Sequence, residues 1–185
     1  MLRTAGSDPG GTEVSRNRVG SVTETVTDKE SAVACSPCRG FFVRPLPDGY
    51  FHVFTRGVAD TAIFRDDDDR GSFLALLIHA ARRYGWDLHA LCLMTTHYHA
   101  VLESTREQLS YGMQWLNGIY AQTFNARYER HGHLFGGRFG SRAIEGEDYL
   151  EQVCEYVLLN PVRAGLCDRA SHWPWNATRY DFPDA

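Results

Sequence analysis

The sequence predicts an α+β domain: an antiparallel sheet covered by helices on one side. Three observations carry this. Residues 49–57 alternate in the manner of a strand, with Tyr50, His52 and Phe54 on one face and Phe51, Val53 and Thr55 on the other. Residues 73–84 and 109–130 carry apolar side chains at helical spacing. The elements then run strand, helix, strand, strand, helix, short strand, helix, an order that suits an antiparallel sheet better than a parallel one.

Taken in order, residues 1–40 are rich in Gly, Ser, Thr, Asp and Glu and have no apolar period, so they read as a disordered extension. The folded domain is expected over 41–180. Its first strand ends at Gly57. Asp66, Asp67, Asp68 and Asp69 offer a cap and dipole-compatible acids to a helix that Gly85 closes. Residues 86–94 and 97–103 form two further strands. Thr95-Thr96 is poor hairpin chemistry, which leaves the break between them undefined. The long helix has Trp115, Ile119 and Phe124 as its expected core, and Gly132 ends it. Residues 133–144 read as a loop with a short strand. The last helix, 147–159, stops at Asn160-Pro161. Trp173-Pro174-Trp175 is expected to pack back on the domain.

Composition narrows the functional classes only a little. Hydrophobic residues make up 43% and aromatics 12%, enough for a real core, and the net charge of −4 does not advertise a nucleic-acid partner. The charge is uneven, however. Between 127 and 142, Arg127, Arg130, Arg138 and Arg142 face only Glu129. That stripe is either a solvated charged face or a surface for phosphates. Of five cysteines, Cys92 and Cys154 sit in apolar surroundings as small core residues, and Cys35-x-x-Cys38 lacks the second pair of a zinc ribbon. With no apolar run long enough for a membrane span and no secretory signal, a cytoplasmic location beside the nucleoid is expected.

Two places hold chemistry. In His97-Tyr98-His99 a strand points both imidazoles to one side, which makes either half of a metal site or two ordinary strand histidines. On the last helix, Tyr149, Val153, Tyr156 and Asn160 fall on one face, with Tyr156 and Asn160 one turn apart. A phenol beside an amide is either a reactive pair or a core tyrosine followed by a helix-ending Asn.

Together with the opening strand 51–57, the block Gly132-His133-Leu134-Phe135-Gly136-Gly137-Arg138-Phe139 and the run Asn160-Pro161-Val162-Arg163-Ala164-Gly165-Leu166, these pieces resemble the single-tyrosine HUH transposases. The resemblance covers about 50–175 and is to the REP-associated tyrosine transposases and their insertion-sequence relatives. Thr95-Thr96, Tyr98 and Gly136-Gly137 differ from the residues usual in that family. The resemblance implies a ferredoxin-like (RRM-like) sheet of HUH endonuclease architecture. It implies that His97, His99 and Asn160 ligate Mg²⁺ or Mn²⁺, and that Tyr156 attacks a DNA phosphate to give a 5′-phosphotyrosine. It implies a single-stranded DNA partner with a hairpin, held by Arg127, Arg130, Arg138 and Arg142, with Tyr128, Phe135 and Phe139 free to stack bases. Tyr149 is left as a packing residue, and the protein as a monomer or homodimer. Two other functions compete: a hairpin-binding protein of the same fold without chemistry, and a histidine-metal hydrolase with Glu103 as its base.

Overall fold

The computed structural model describes residues 48–182; the expected disordered extension and the Cys35/Cys38 pair lie outside the described residues. Strand β1 (Gly49–Arg56) leads to α1 (Asp67–Tyr84), then β2 (Asp87–Leu93), β3 (His97–Ser104), α2 (Arg106–Arg127) and β4 (Gly140–Ile144). Helix α3 (Glu147–Leu158), a single turn α4 (Asn160–Arg163) and β5 (Asn176–Thr178) complete it. The five strands pair antiparallel in the order β4-β1-β3-β2-β5, which is a ferredoxin-like βαββαβ core with β5 added at the edge.

Local chemistry sets the boundaries. The Asp66 carboxylate accepts the Asp69 amide at 3.0 Å and caps α1, whose far end closes at Gly85 in the left-handed region (φ 63°). Thr105 caps α2 through the Gln108 amide, so that helix begins three residues before the apolar run that announced it. It also ends at Arg127, short of the expected 130. Thr95-Thr96 does make a hairpin: the Met94 amide donates to the His97 carbonyl at 2.9 Å.

The helices do not all lie on one side. Helices α1 and α2 cover one face, where Phe51, Val53, Leu91, Tyr98, Ala100 and Leu102 point. Helix α3 packs on the opposite face, its Val153 and Val157 against Ala90, Cys92, Met94 and Val101. The reason is the alternation of β3, which buries Ala100 and Leu102 one way and Val101 the other, so both faces need a cover. Along α2 the buried stripe is Leu109, Met113, Leu116, Tyr120 and Phe124. Trp115 and Ile119 flank it half-buried, so of the expected core residues only Phe124 is fully enclosed. At Gly112 the Trp86 ring lies so close that a Cβ would collide with it.

The C-terminal stretch closes the β2 edge. Leu93 exchanges with the tail: its amide donates to the Trp175 carbonyl and its carbonyl accepts the Trp173 indole, both at 3.0 Å. Among the described residues no helix is long and apolar enough to cross a membrane.

Candidate active site

The site lies on the α3 face. Thr55, Tyr98 and Asn117 form a closed hydrogen-bonded set in the opposite layer: Thr55 donates to the Tyr98 oxygen (3.1 Å), Tyr98 to Asn117 Oδ1 (2.8 Å) and Asn117 Nδ2 to Thr55 (3.4 Å). Burial pushes the Tyr98 phenol far above its ordinary range. With Tyr98 anchored in the core, the pleat must turn its neighbours His97 and His99 outward together.

Each of the two imidazoles is held at Nδ1. The Thr96 hydroxyl meets His97 Nδ1 at 3.0 Å, and His52 Nε2 meets His99 Nδ1 at 2.9 Å. Both rings therefore keep Nε2 as the nitrogen available to a ligand. Their centroids are 5.1 Å apart at 89°. Burial, followed by the charge of Arg56, pulls His97 down to about 4. Burial, with His52, His97 and Arg56 behind it, pulls His99 down to about 2. Burial and Arg142 lower His52 to about 4. At neutral pH all three rings are uncharged, the state a cation requires of an imidazole.

Helix α3 brings the phenol. The Tyr156 ring stands edge-on to His52 and His99, with centroids 6.0 and 6.3 Å away. It is 40% exposed, so a polymer can reach it. On α4 the Arg163 guanidinium lies 4.6 Å from the centroid of the same ring. Asn160 Nδ2 donates to the carbonyls of Tyr156 (3.0 Å) and Val157 (3.2 Å). Those carbonyls only accept, so the amide orientation is fixed and Oδ1 turns away from them. Neutral imidazoles such as those of His97 and His99 are nitrogen donors that Mn²⁺ accepts more readily than Mg²⁺, and an amide oxygen such as Asn160 Oδ1 suits either ion.

Not every residue singled out in the sequence joins this site. Tyr149 is 52% exposed and is not a packing residue, because the buried stripe of α3 runs through Val153 and Val157. Arg127 is held in the other layer by Asp66 (2.8 Å), Asp68 (3.2 Å) and Asp69 (2.7 Å). Tyr128 donates to Asp66 and Asp69 and carries the Arg65 guanidinium 4.2 Å over its ring, so it is no stacking platform. Arg130 lies against Phe124 in that same layer. The charges that α1 exposes at its N-terminus thus find their partners at the C-terminus of α2. Arg138 and Arg142 stay exposed, and Arg142 faces His52.

His52 is the site residue that sequence reasoning missed. Its face was legible, shared with Tyr50 and Phe54, but nothing local says that β1 lies beside β3. Glu103 shares the histidine face yet stands four residues beyond His99, about 13 Å along the strand. It is too far to serve as a base at His97 or His99.

An antiparallel α+β sheet presenting paired histidines beneath a helix-borne tyrosine is the architecture of an HUH-type protein. The family model described as "Transposase IS200 like" matches residues 47–160, and the chain belongs to that family. Among solved structures it is similar to a REP-associated tyrosine transposase bound to a REP hairpin, at TM-score 0.55 and 16% identity, over 76% of this chain and 81% of that one. Weaker likenesses reach a candidate transposase from Deinococcus radiodurans R1 (TM-score 0.44, 19% identity, 65% and 93% covered) and the tRNA(His) guanylyltransferase of Saccharomyces cerevisiae (0.46, 14%, 75% and 66%). No curated protein matches the chain.

Proposed function

We propose that this protein is a single-strand DNA endonuclease and strand-transferase that cuts beside hairpins through a 5′-phosphotyrosine intermediate. The observation that carries the reading is the approach of Tyr156 to His99, 6.3 Å between centroids, from an element remote in sequence. Membership of the transposase family supports the reaction class, and the REP hairpin bound by the structural relative supports the ligand.

His97 and His99 through Nε2, and Asn160 through Oδ1, would hold the cation. A divalent ion bound there supplies positive charge to a non-bridging oxygen of the scissile phosphate. Tyr156 Oη forms the bond to phosphorus while the bond to the 3′-oxygen breaks. The phenol loses a proton and the departing 3′-oxygen gains one, so the step is balanced without a co-reactant. Rejoining is the reverse attack by a 3′-hydroxyl, and because the phosphodiester is exchanged rather than hydrolysed no ATP is needed. Arg163 keeps a positive charge beside the phenol, and Arg138 and Arg142 offer phosphate contacts on the approach.

The test is a labelled single-stranded hairpin incubated with the protein and Mn²⁺ and run on a denaturing gel. A covalent protein–DNA band is expected. It should vanish in Tyr156→Phe and His97→Ala while hairpin binding persists, and survive in Tyr149→Phe. Binding with no band from the wild type would mark a protein that only binds. Cleaved product without any covalent species would point to an activated water.

A further inference from the structure

At the other end of the histidine face, outside the site described above, lies a second gathering of donor groups. One ligand atom each from Asp87, His89 and Glu103 fall within 4.8 Å of one another. Asp87 and Glu103 are directly opposed across β2 and β3. His89 is brought in by an irregularity of β2: the register slips between Leu88 and Ala90, so His89 is the extra residue of a bulge. Leu88 goes to the α1/α2 core and Ala90 to the α3 core, while the His89 ring packs edge-on against Tyr50 at 5.3 Å.

The His89 side chain is 9% exposed, and its Nε2 is buried with no hydrogen-bond partner. Asp87 Oδ2 is 3.9 Å away, too far for a hydrogen bond and far enough for a shared ion. A buried, unpartnered ring nitrogen costs stability unless something satisfies it. Arg179 reaches Asp87 Oδ2 at 3.0 Å but leaves Glu103 and His89 Nε2 untouched, and it is itself 59% exposed. Asp87 and Glu103 also line a cleft with Asp48 and Ser104, which leaves the outer side of the cluster open to water.

We propose that Asp87, His89 and Glu103 bind a divalent transition-metal ion that clamps the open end of the β2–β3 hairpin. One imidazole and two carboxylates, with room for water, match the donor preferences of Mn²⁺ and Zn²⁺ better than those of Mg²⁺. The ion would join the two strands at the end opposite the Thr95-Thr96 turn, where the bulge interrupts their ladder.

Mn²⁺ is the probe, counted by the loss of its free electron-paramagnetic signal during titration of the full chain. The double variant His97→Ala/His99→Ala should still bind one equivalent and melt higher in its presence. Adding His89→Ala, or the near-isosteric Glu103→Gln, should abolish both effects. Arg179→Ala should tighten binding roughly two- to fivefold, the worth of an exposed ion pair removed from Asp87. Absence of saturable binding in the His97/His99 double variant, or binding indifferent to both His89→Ala and Glu103→Gln, overturns the proposal. A wild type that binds a single ion, lost with His89→Ala and kept without His97 and His99, upholds it while removing the metal from the proposed active site.

Discussion

His52 Nε2 lies 2.9 Å from His99 Nδ1, so a residue of β1 sets the aim of the central histidine on β3. Groups that orient a ligating imidazole from behind are typically worth 10- to 100-fold in metal affinity or activity. His52→Ala should therefore slow adduct formation by about that factor and raise the Mn²⁺ concentration needed for half-maximal rate. Hairpin binding should stay near wild type. His52→Gln, which can still hydrogen-bond to Nδ1, should restore part of the rate. A His52→Ala protein with an unaltered Mn²⁺ requirement would remove His52 from the site.

Arg163 stands 4.6 Å from the centroid of the Tyr156 ring, and no acidic partner holds it there among the ion pairs of the described residues. Its charge is positioned to meet a phosphate arriving at the phenol. Arg163→Ala should lower the rate of adduct formation more than the affinity for uncut hairpin, and Arg163→Lys should recover a part of it, because a point charge remains without the planar fork. Single-turnover rates at saturating DNA separate the two effects. Equal losses in rate and affinity would make Arg163 a simple binding residue.

Arg127 and Arg138 should behave in opposite ways. Asp69 has a side chain only 3% exposed, and Arg127 is its charge partner. Arg127→Ala should reduce the melting temperature by about 3–6 °C and leave the salt dependence of hairpin binding unchanged. Arg138→Ala should leave melting unchanged and flatten the salt dependence by about one phosphate contact, a slope change of roughly 0.7 on a single strand. Melting curves and binding isotherms at several salt concentrations decide both. A flattened slope in Arg127→Ala would mean that its ion pairs open to admit DNA.

These residues also mark how far the sequence could be read. The alternation of β1 and β3 sorted His97 and His99 from Tyr98 correctly, because a period of two needs no tertiary knowledge. The run Asp66 to Asp69 was legible as a source of a helix cap because capping is local, while only the structure shows that Asp66 is the residue that caps. The phase of α2 was not: Trp115 and Ile119 are as apolar as Leu116 and Tyr120, and only the position of α1 selects the buried stripe. His52 and Arg127 were misjudged through one shared cause. Their partners are 47 and about 60 residues away, and strand order and helix packing, not local pattern, bring them together. That Tyr156 shares a helix face with Asn160 was legible because their spacing is a local fact, whereas Tyr149, equally well spaced, lies on an exposed shoulder beside the buried Val153 and Val157.

The uncharged histidines make stability depend on pH in a definite direction. In the folded protein His52 and His97 titrate near 4 and His99 near 2, whereas in the unfolded chain each returns to about 6.5. Between those values the unfolded state binds protons that the folded state refuses. Stability is therefore complete above pH 6.5 and declines as the pH falls toward 4. Urea midpoints of the metal-free protein, measured from pH 7.5 down to 4.5, should follow that decline; stopping at 4.5 keeps most carboxylates ionised. His52→Gln should decline less over the same range than the wild type. It removes one of the three groups, and it also lifts from His99 the neighbour that ranks next after burial in lowering it. Saturating Mn²⁺ should steepen the wild-type dependence, since protons then compete with the cation for His97 and His99. A midpoint that stays flat from pH 7.5 to 4.5 would mean that the three rings are not held neutral by the fold, and the case for Nε2 ligation at His97 and His99 would fall with it.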